Sequence, residues 1–466
     1  MKISKIYFLA ISIAVSWINL GAQTQQEYAL NLVEACYQQS RTLDAHSFSW
    51  IGLTSIVSDE ADKGSTSGDN GGDKMLLDNL SFTANLESLE AVWKGQYNGV
   101  YSCNRALYYL PNMISDATYG SRLDGEAYFL RAYYYFNLVR LFGDVPIPYF
   151  SADDTFDSRV SKYIRKPKSQ VYTQIENDLT QAISLLPPKS GYGAADKWRA
   201  SKGSALALMA KVKLYQGQWS SVITYTDQIT GYALATDYQN NFKVTGENNI
   251  ESIFEIQGTY NTANNYNGIQ GYSIVQGGKG PEGWGWGFNT PSATLQNAYE
   301  TGDVRKNATI ITAGNTLWDG RYIPSDFANP RYNYKAYPGP HADAWETDAN
   351  IRVLRYAEVL LMKAEALNEL GQSSAALAFV NQIRTRAGLA SVSVTGYSAV
   401  RDAIRKERRL ELAMEHDRWF DIIRTGQAAS AMAADGKVFL SYYNVFPIPQ
   451  QIINESGGLM VQNPGY

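Results

Sequence analysis

ALMAKVKLYQGQWSSVITYTDQI, residues 207–229, aligns without a gap on LMKAEALNELGQSSAALAFVNQI, residues 361–383. Gly217 falls on Gly371, Ala210 on Ala364, Gln218 on Gln372, Ser220 on Ser374, Gln228 on Gln382 and Ile229 on Ile383. Each copy reads as an apolar helix with small residues, a glycine turn and a second amphipathic helix. That is the layout of a tetratricopeptide unit. Alanine lets paired helices approach closely, and glycine takes the left-handed conformation that ends a helix. Two clear copies with looser helix pairs around them predict a right-handed helical scaffold. Such scaffolds bind partners on one face and carry insertions on another.

Outward from this pair, helical periodicity covers 26–56, 85–110, 122–142, 169–186, 202–215, 219–230, 352–370, 373–386, 399–415 and 417–426. SDEADKGSTSGDNGGD (58–73) reads as a loop, being rich in Gly, Ser and Asp. Between 231 and 350 the pattern breaks into Gly-, Asn-, Tyr- and Trp-rich sequence with short strand-like pieces such as SIFEIQ (252–257). A long irregular region usually binds something or decorates a scaffold. The predicted organisation is a helical scaffold over about 26–230 and 351–427, with a loop-rich ligand-binding insert over about 231–350.

The chain has 466 residues, more than one core of about 250–300 residues usually holds. Hydrophobic residues make up 45% and charged residues 18%, which fits a folded globule. The formal charge is −4 and no basic stripe stands out, which argues against nucleic acid as a partner. The 33 tyrosines and 10 tryptophans favour a binding surface, because such rings pair a large face with a polar handle. MKISK followed by IYFLAISIAVSWI, with small residues at Leu20-Gly21-Ala22, reads as an export signal over residues 1–22. Cys36 and Cys103 could pair in an exported protein, or stay as two buried thiols on helices.

Several ordered motifs resemble the SusD/RagB family of bacterial surface nutrient-binding proteins. They are VWKGQYNGVYSCNRAL (92–107), GEAYFLRAYYYFNLVRLFGDVPI (125–147) and GWGFNTPSATLQNAYETGDVRKNATI (285–310). IRVLRYAEVLLMKAEALNELG (351–371) with VNQIRTRAGL, IRKERRLELAMEHDRWFDIIRTG (404–426), and the C-terminal VFPIP and QNPGY complete the set. The resemblance spans residues 27 to 466. It implies a mostly α-helical SusD-like fold, with four tetratricopeptide-like helix pairs packed on a loop-rich subdomain. It also implies a cell-surface protein of a Bacteroidetes-type outer membrane, without enzymatic activity. Such a protein captures oligosaccharides and delivers them to a SusC-type TonB-dependent transporter. In the RagB branch the ligands are peptides. Members usually carry a lipobox cysteine after the signal. Here Gln23 stands in its place and cannot be acylated, so membrane association is expected through the transporter.

Most charged motifs read as structural. Glu407, Arg408, Glu411, Glu415 and Arg418 sit three or four apart and suit ion pairs within or between helices. The sharper reading of Glu411 and Glu415 as a glycosidase pair needs a cleft between them, which one helix face does not provide. His46, His341 and His416 lack metal-ligand spacing, and no GxSxG elbow is present, so no catalytic residue, metal or cofactor is assigned. Asp59, Glu60, Asp62, Asp69, Asn70 and Asp73 are oxygen-rich enough for calcium, but a solvated loop is the plainer reading. Tyr128, Ala132, Tyr135 or Phe136, Val139 and Phe142 place one face of their helix in the core.

PEGWGWGFNTP (281–291) sets Trp284 and Trp286 among glycines. If extended, the two indoles point to the same side, roughly 6–7 Å apart, near the repeat of a sugar chain. Sugar C–H faces pack on aromatic faces while hydroxyls seek amides and carboxylates. The candidate ligand residues are therefore Trp284, Trp286, Trp318 and Trp345, with Tyr266, Tyr272, Asp69 and Asn70 beside them. The competing reading has Trp286 plugging the joint between subdomains. Trp93, Trp198, Trp219 and Trp419 lie in or beside helices and read as packing residues.

Overall fold

The fold is given by a computed structural model that describes residues 24–114, 116–153, 155–261, 265–340 and 345–466. Residues 1–22, read above as an export signal, lie outside the described residues, as do Gln23 and His341. Among the described residues, strands occur as two-stranded antiparallel ribbons and the bulk of the ordered backbone is helical. The mostly α prediction holds.

The two aligned segments fold alike. Helix Lys202–Tyr215 turns through Gly217 into helix Trp219–Thr226, and Tyr356–Glu369 turns through Gly371 into Ser373–Arg386. The glycines have φ of +66° and +78°. The Gly217 amide donates to Leu214 O and the Gln218 amide to Lys213 O; the Gly371 amide donates to Asn368 O and the Gln372 amide to Leu367 O. Both are the same double-bonded helix ending, which needs a left-handed residue at the glycine position. The two helix pairs pack on each other through Trp219–Thr226 and Tyr356–Glu369. Upstream, helix Gln25–Arg41 packs on Glu87–Tyr109, and Ala117–Phe142 packs on Lys168–Leu185.

Helix Ala117–Phe142 starts where Asp116 Oδ1 accepts from the amides of Thr118 and Tyr119 and stops at Gly143. Sequence periodicity predicts one buried face, but Tyr133, Tyr134, Tyr135 and Phe136 are all buried. The helix lies inside the scaffold with neighbours all round, so periodicity fades. Cys36 and Cys103 are free and fully buried, and burial pushes the Cys103 thiol well up. Trp93 and Trp419 are core residues, while Trp198 and Trp219 pack half-buried against it.

Three stretches differ from their sequence reading. The 26–56 pattern is broken into three helices and a π-helical turn, Gly52–Ile56. Ile351–Arg355 is a strand paired with Ser252–Ile256, and the helix begins only at Tyr356. β-Branched Ile351 and Val353 suit the strand, whereas five residues are too few for periodicity to tell strand from helix. The 58–73 segment is not a solvated loop: Ala61–Gly64 is a strand paired with Phe288–Pro291, and Gly72–Asp78 is a helix.

Asp59, Asp69 and Asp73 of that segment are each tied to a cation. Asp59 accepts from Arg418 at 2.7 Å and faces Arg409 at 3.0 Å, and Asp73 pairs with Lys74 at 2.8 Å. Glu411 and Glu415 do not share a helix face, since the helix ends at Glu411. Arg355 joins them, 3.0 Å from Glu411 and 2.7 Å from Glu415. Arg386 and Arg305 also reach Glu411, at 2.6 and 3.2 Å, and Lys335 reaches Glu415 at 2.7 Å. Glu251 pairs with both Arg355 and Arg386. Burial disfavours the Glu411 anion, but the arginines outweigh it and hold the carboxyl well below its usual range. A carboxylate kept ionised and saturated by arginines does not suit a general acid. This network joins the C-terminal helices to the 231–350 region.

Candidate functional site

Gly277 and Gly278 make room for the Trp284 indole, while Gly283 and Gly285 let backbone lie against backbone. The amides of Trp284 and Gly285 both donate to Gly278 O, at 3.0 and 3.1 Å, and the Trp286 amide donates to Ile274 O at 2.7 Å. These bonds fold the segment back on 274–278 rather than extending it. A Cβ on Gly277 or Gly278 would lie 2.7 Å from the Trp284 ring, and one on Gly285 would lie 2.3 Å from Ile274 O. The indole of Trp284 lies directly on glycine backbone.

Trp284 is 8% exposed, packed with Phe327, Tyr332 and Tyr337 at ring separations of 6.1, 6.3 and 5.1 Å. The Arg321 guanidinium stands 5.1 Å from its ring. Trp286 turns elsewhere: half-buried, it meets Phe48 at 6.1 Å and Trp345 at 5.8 Å. The same-side arrangement predicted for an extended strand is therefore wrong. The segment is a folded loop, and its two indoles enter different clusters.

Exposed rings remain at two places. Trp345 is 37% exposed and leans on Trp286. Trp318 is 38% exposed, stands 5.9 Å from Tyr337 and has the Lys243 ammonium 5.8 Å from its ring. The Trp318 amide donates to the Tyr334 hydroxyl at 2.7 Å, so the buried Tyr334 positions it. Tyr272 is not at the surface: it is buried, and its hydroxyl lies 2.9 Å from His416 Nε2. Tyr266 stands opposite Tyr260 in a short ribbon, and its side chain lies outside the described residues.

The polar partners reach the Trp286 side through the ribbon of Ala61–Gly64 and Phe288–Pro291. The Ser65 amide donates to Gly287 O at 2.6 Å, and Lys279 Nζ donates to Ser65 Oγ at 2.9 Å. Asp69 is engaged: it accepts from Lys63 Nζ at 2.7 Å and from the amides of Thr66 and Gly71 at 3.1 and 2.8 Å. Burial opposes its ionisation, yet Lys63 and these amides prevail and take the carboxyl down to about 2. Asp69 thus holds the turn that presents the exposed Asn70. Beneath this turn, Phe288 meets Phe48 at 4.7 Å, and Phe48 carries the Lys74 ammonium 3.9 Å above its ring. Asn70, Phe48, Trp286 and Trp345 thereby belong to one continuous piece of structure. Phe48 and Lys279 escape sequence reading because nothing local to FSWIGL or QGGKG indicates a ligand surface.

A protein-family model described as "SusD family" matches residues 327–466, and one described as "Starch-binding associating with outer membrane" matches 54–214. The chain is 28% identical to SusD-like protein P2 of Formosa agariphila over 96% of this chain and 92% of that protein. Its backbone is similar to that of a solved laminarin binding SusD-like protein, with a TM-score of 0.79, 30% identity, and 94% and 99% of the two chains covered. Surface glycan-binding protein A from Bacteroides thetaiotaomicron, solved in complex with laminarihexaose, is similar at a TM-score of 0.77 and 25% identity, over 94% and 99% of the chains.

Proposed function

For a chain that belongs to the SusD family and exposes Trp318 and Trp345 in its loop-rich region, we propose that it is a cell-surface glycan-binding protein. It captures oligosaccharides at the outer membrane and delivers them to a SusC-type TonB-dependent transporter, through which it is held there. The observation that supports this reading best is the Trp286–Trp345 pair, a partly exposed ring braced from behind by a half-buried one. A braced indole loses little freedom when a sugar packs on it, and Asn70, exposed on the turn whose Gly71 lies on Phe288, offers both a donor and an acceptor to hydroxyls. Trp318 supplies a further exposed ring. Trp284, Tyr272 and Asp69 act behind the surface, fixing the loops that carry these groups. Binding is modest and non-catalytic, since open stacking sites leave much of the ligand in water.

The test is isothermal titration of residues 23–466 with laminarihexaose, maltohexaose and mixed peptides. Saccharide binding that Trp345→Ala weakens in affinity or reduces in stoichiometry supports the proposal. Binding of peptides alone overturns it in favour of a RagB-like role.

A further inference from the structure

A cleft of about 580 Å³ opens between helix Glu87–Tyr109 and residues 148–152 and 158–163, on residues that share no cluster with the tryptophan surface. We propose that this cleft is a second oligosaccharide-binding site; the inference rests on the carbohydrate reading above.

Its wall is a ladder of rings. Trp93, Tyr97 and Tyr101 recur every four residues along the helix, so they share one face over roughly 12 Å. Tyr97 is pinned, its hydroxyl donating to Pro146 O at 2.9 Å. Tyr101 is 58% exposed and stands 5.6 Å from Phe150, which closes the cleft from the other side. Tyr149, 50% exposed, and Tyr163 add further phenol faces. Exposed tyrosines concentrated on one concavity mark a site that a ligand covers.

The polar groups decide the class of that ligand. Among the described residues, the exposed Asn98 carboxamide has no hydrogen-bond partner. Lys162 has no carboxylate partner there either, and its ammonium stands 5.0 Å from the Tyr163 ring. Among the described lining residues the one acid, Glu455, faces Lys94 at 3.8 Å, and Arg159 is already engaged elsewhere. A purely apolar chain would cover Asn98 and Lys162 without bonding them, which is costly. A pyranose has C–H faces for the phenol ladder and a rim of hydroxyls for the carboxamide and ammonium. The volume falls in the range of about 300–1,000 Å³ typical of small-ligand sites.

The experiment is a titration of residues 23–466 with laminarihexaose and maltohexaose, reading stoichiometry. Three variants run beside the wild type: Tyr101→Ala with Tyr149→Ala, which removes exposed rings; Ser151→Trp, which fills the cleft; and Trp345→Ala, which alters only the other surface. The expected result is two saccharides per chain in the wild type and one in every variant. Retention on laminarin gels should weaken at least tenfold when Trp345→Ala and the tyrosine pair are combined. A single saccharide per chain that is lost in Trp345→Ala and untouched by either cleft variant overturns the second site while leaving the first intact. No saccharide uptake by the folded wild type removes the carbohydrate reading itself, and this inference with it.

Discussion

Trp286 and Trp345 meet with ring centroids 5.8 Å apart and planes inclined by 41°. The first is half-buried against Phe48 and the second reaches solvent. One indole is therefore a wall and the other a face. Trp345→Ala should weaken saccharide binding roughly tenfold or more, equivalent to about 1.4 kcal/mol. Its unfolding midpoint should stay close to wild type, because the lost ring is exposed. Titration and thermal melts on one preparation check this; unchanged affinity would remove Trp345 from the site.

Trp284 should behave in the opposite way. Its ring fills the space between Phe327, Tyr337 and the glycine backbone of 277–278. Trp284→Ala should cost about 3–5 kcal/mol of stability, as buried Trp truncations do. Gly278→Ala should also destabilise, since its Cβ would sit 2.7 Å from the same ring. Urea unfolding of both variants is the measurement. Wild-type stability with lost binding would reverse the assignment.

The Glu411 carboxylate neutralises guanidinium groups from three other segments. Glu411→Gln keeps the shape and removes the charge, leaving Arg305, Arg355 and Arg386 short of an anion. Removing one partner of a buried ionic cluster costs about 3–5 kcal/mol. Denaturation should show that loss. A near-neutral effect would mean that solvent reaches the network.

Two buried histidines each add an acid-sensitive contribution to stability. His46 lies with Nδ1 3.0 Å from Ser40 O and Nε2 2.7 Å from the Tyr133 hydroxyl. A neutral ring satisfies both contacts, by donating from Nδ1 and accepting at Nε2. Burial drives its pKa down to about 3 and that of His416 to about 4, from an ordinary 6.5. Below pH 6.5 the unfolded chain therefore binds protons that the folded chain refuses. The stabilisation is complete above pH 6.5 and is lost progressively as pH falls toward 4, by about 1.4 kcal/mol per pH unit for each ring. Burial raises the Glu60 and Glu247 carboxyls to about 7 and 8, and these act with the opposite sign over the same range, so the His46 share is read as the difference in slope between wild type and His46→Gln, expected to be lower in the variant by about 1.4 kcal/mol per pH unit below pH 6.5. An unaltered slope in that variant would exclude His46 as a source.

Gly371 tests the repeat. Its φ is +78° and nothing lies within 4 Å of an added Cβ, so Gly371→Ala should cost only the conformational strain, about 1–2 kcal/mol. Equal losses for Gly217→Ala, measured by denaturation, would show that the two turns carry equal strain.

Much of the helical framework was legible because its information is local. Periodicity marks an amphipathic helix within a dozen residues, and Gly217 and Gly371 mark matching turns, each seven residues after the matched alanines Ala210 and Ala364. The buried all-round helix Ala117–Phe142 and the strand Ile351–Arg355 were harder, since one has no polar face and the other is too short for its period to show.

The candidate site was legible in its ingredients but not in its assignments. By itself the sequence determined that indoles, phenols, amides and glycines would gather in the 231–350 region, and that a matched helix pair would frame it. Only the tertiary structure decided that Trp284 plugs a cluster while Trp286, two residues on, backs the exposed Trp345. It likewise decided that Asp69 braces a turn and that Tyr272 faces His416. The reason is physical: a helix is held by bonds to the residue four positions back. The fate of a loop side chain depends on partners far away in sequence, such as Phe48 for Trp286 and Gly287 for Ser65.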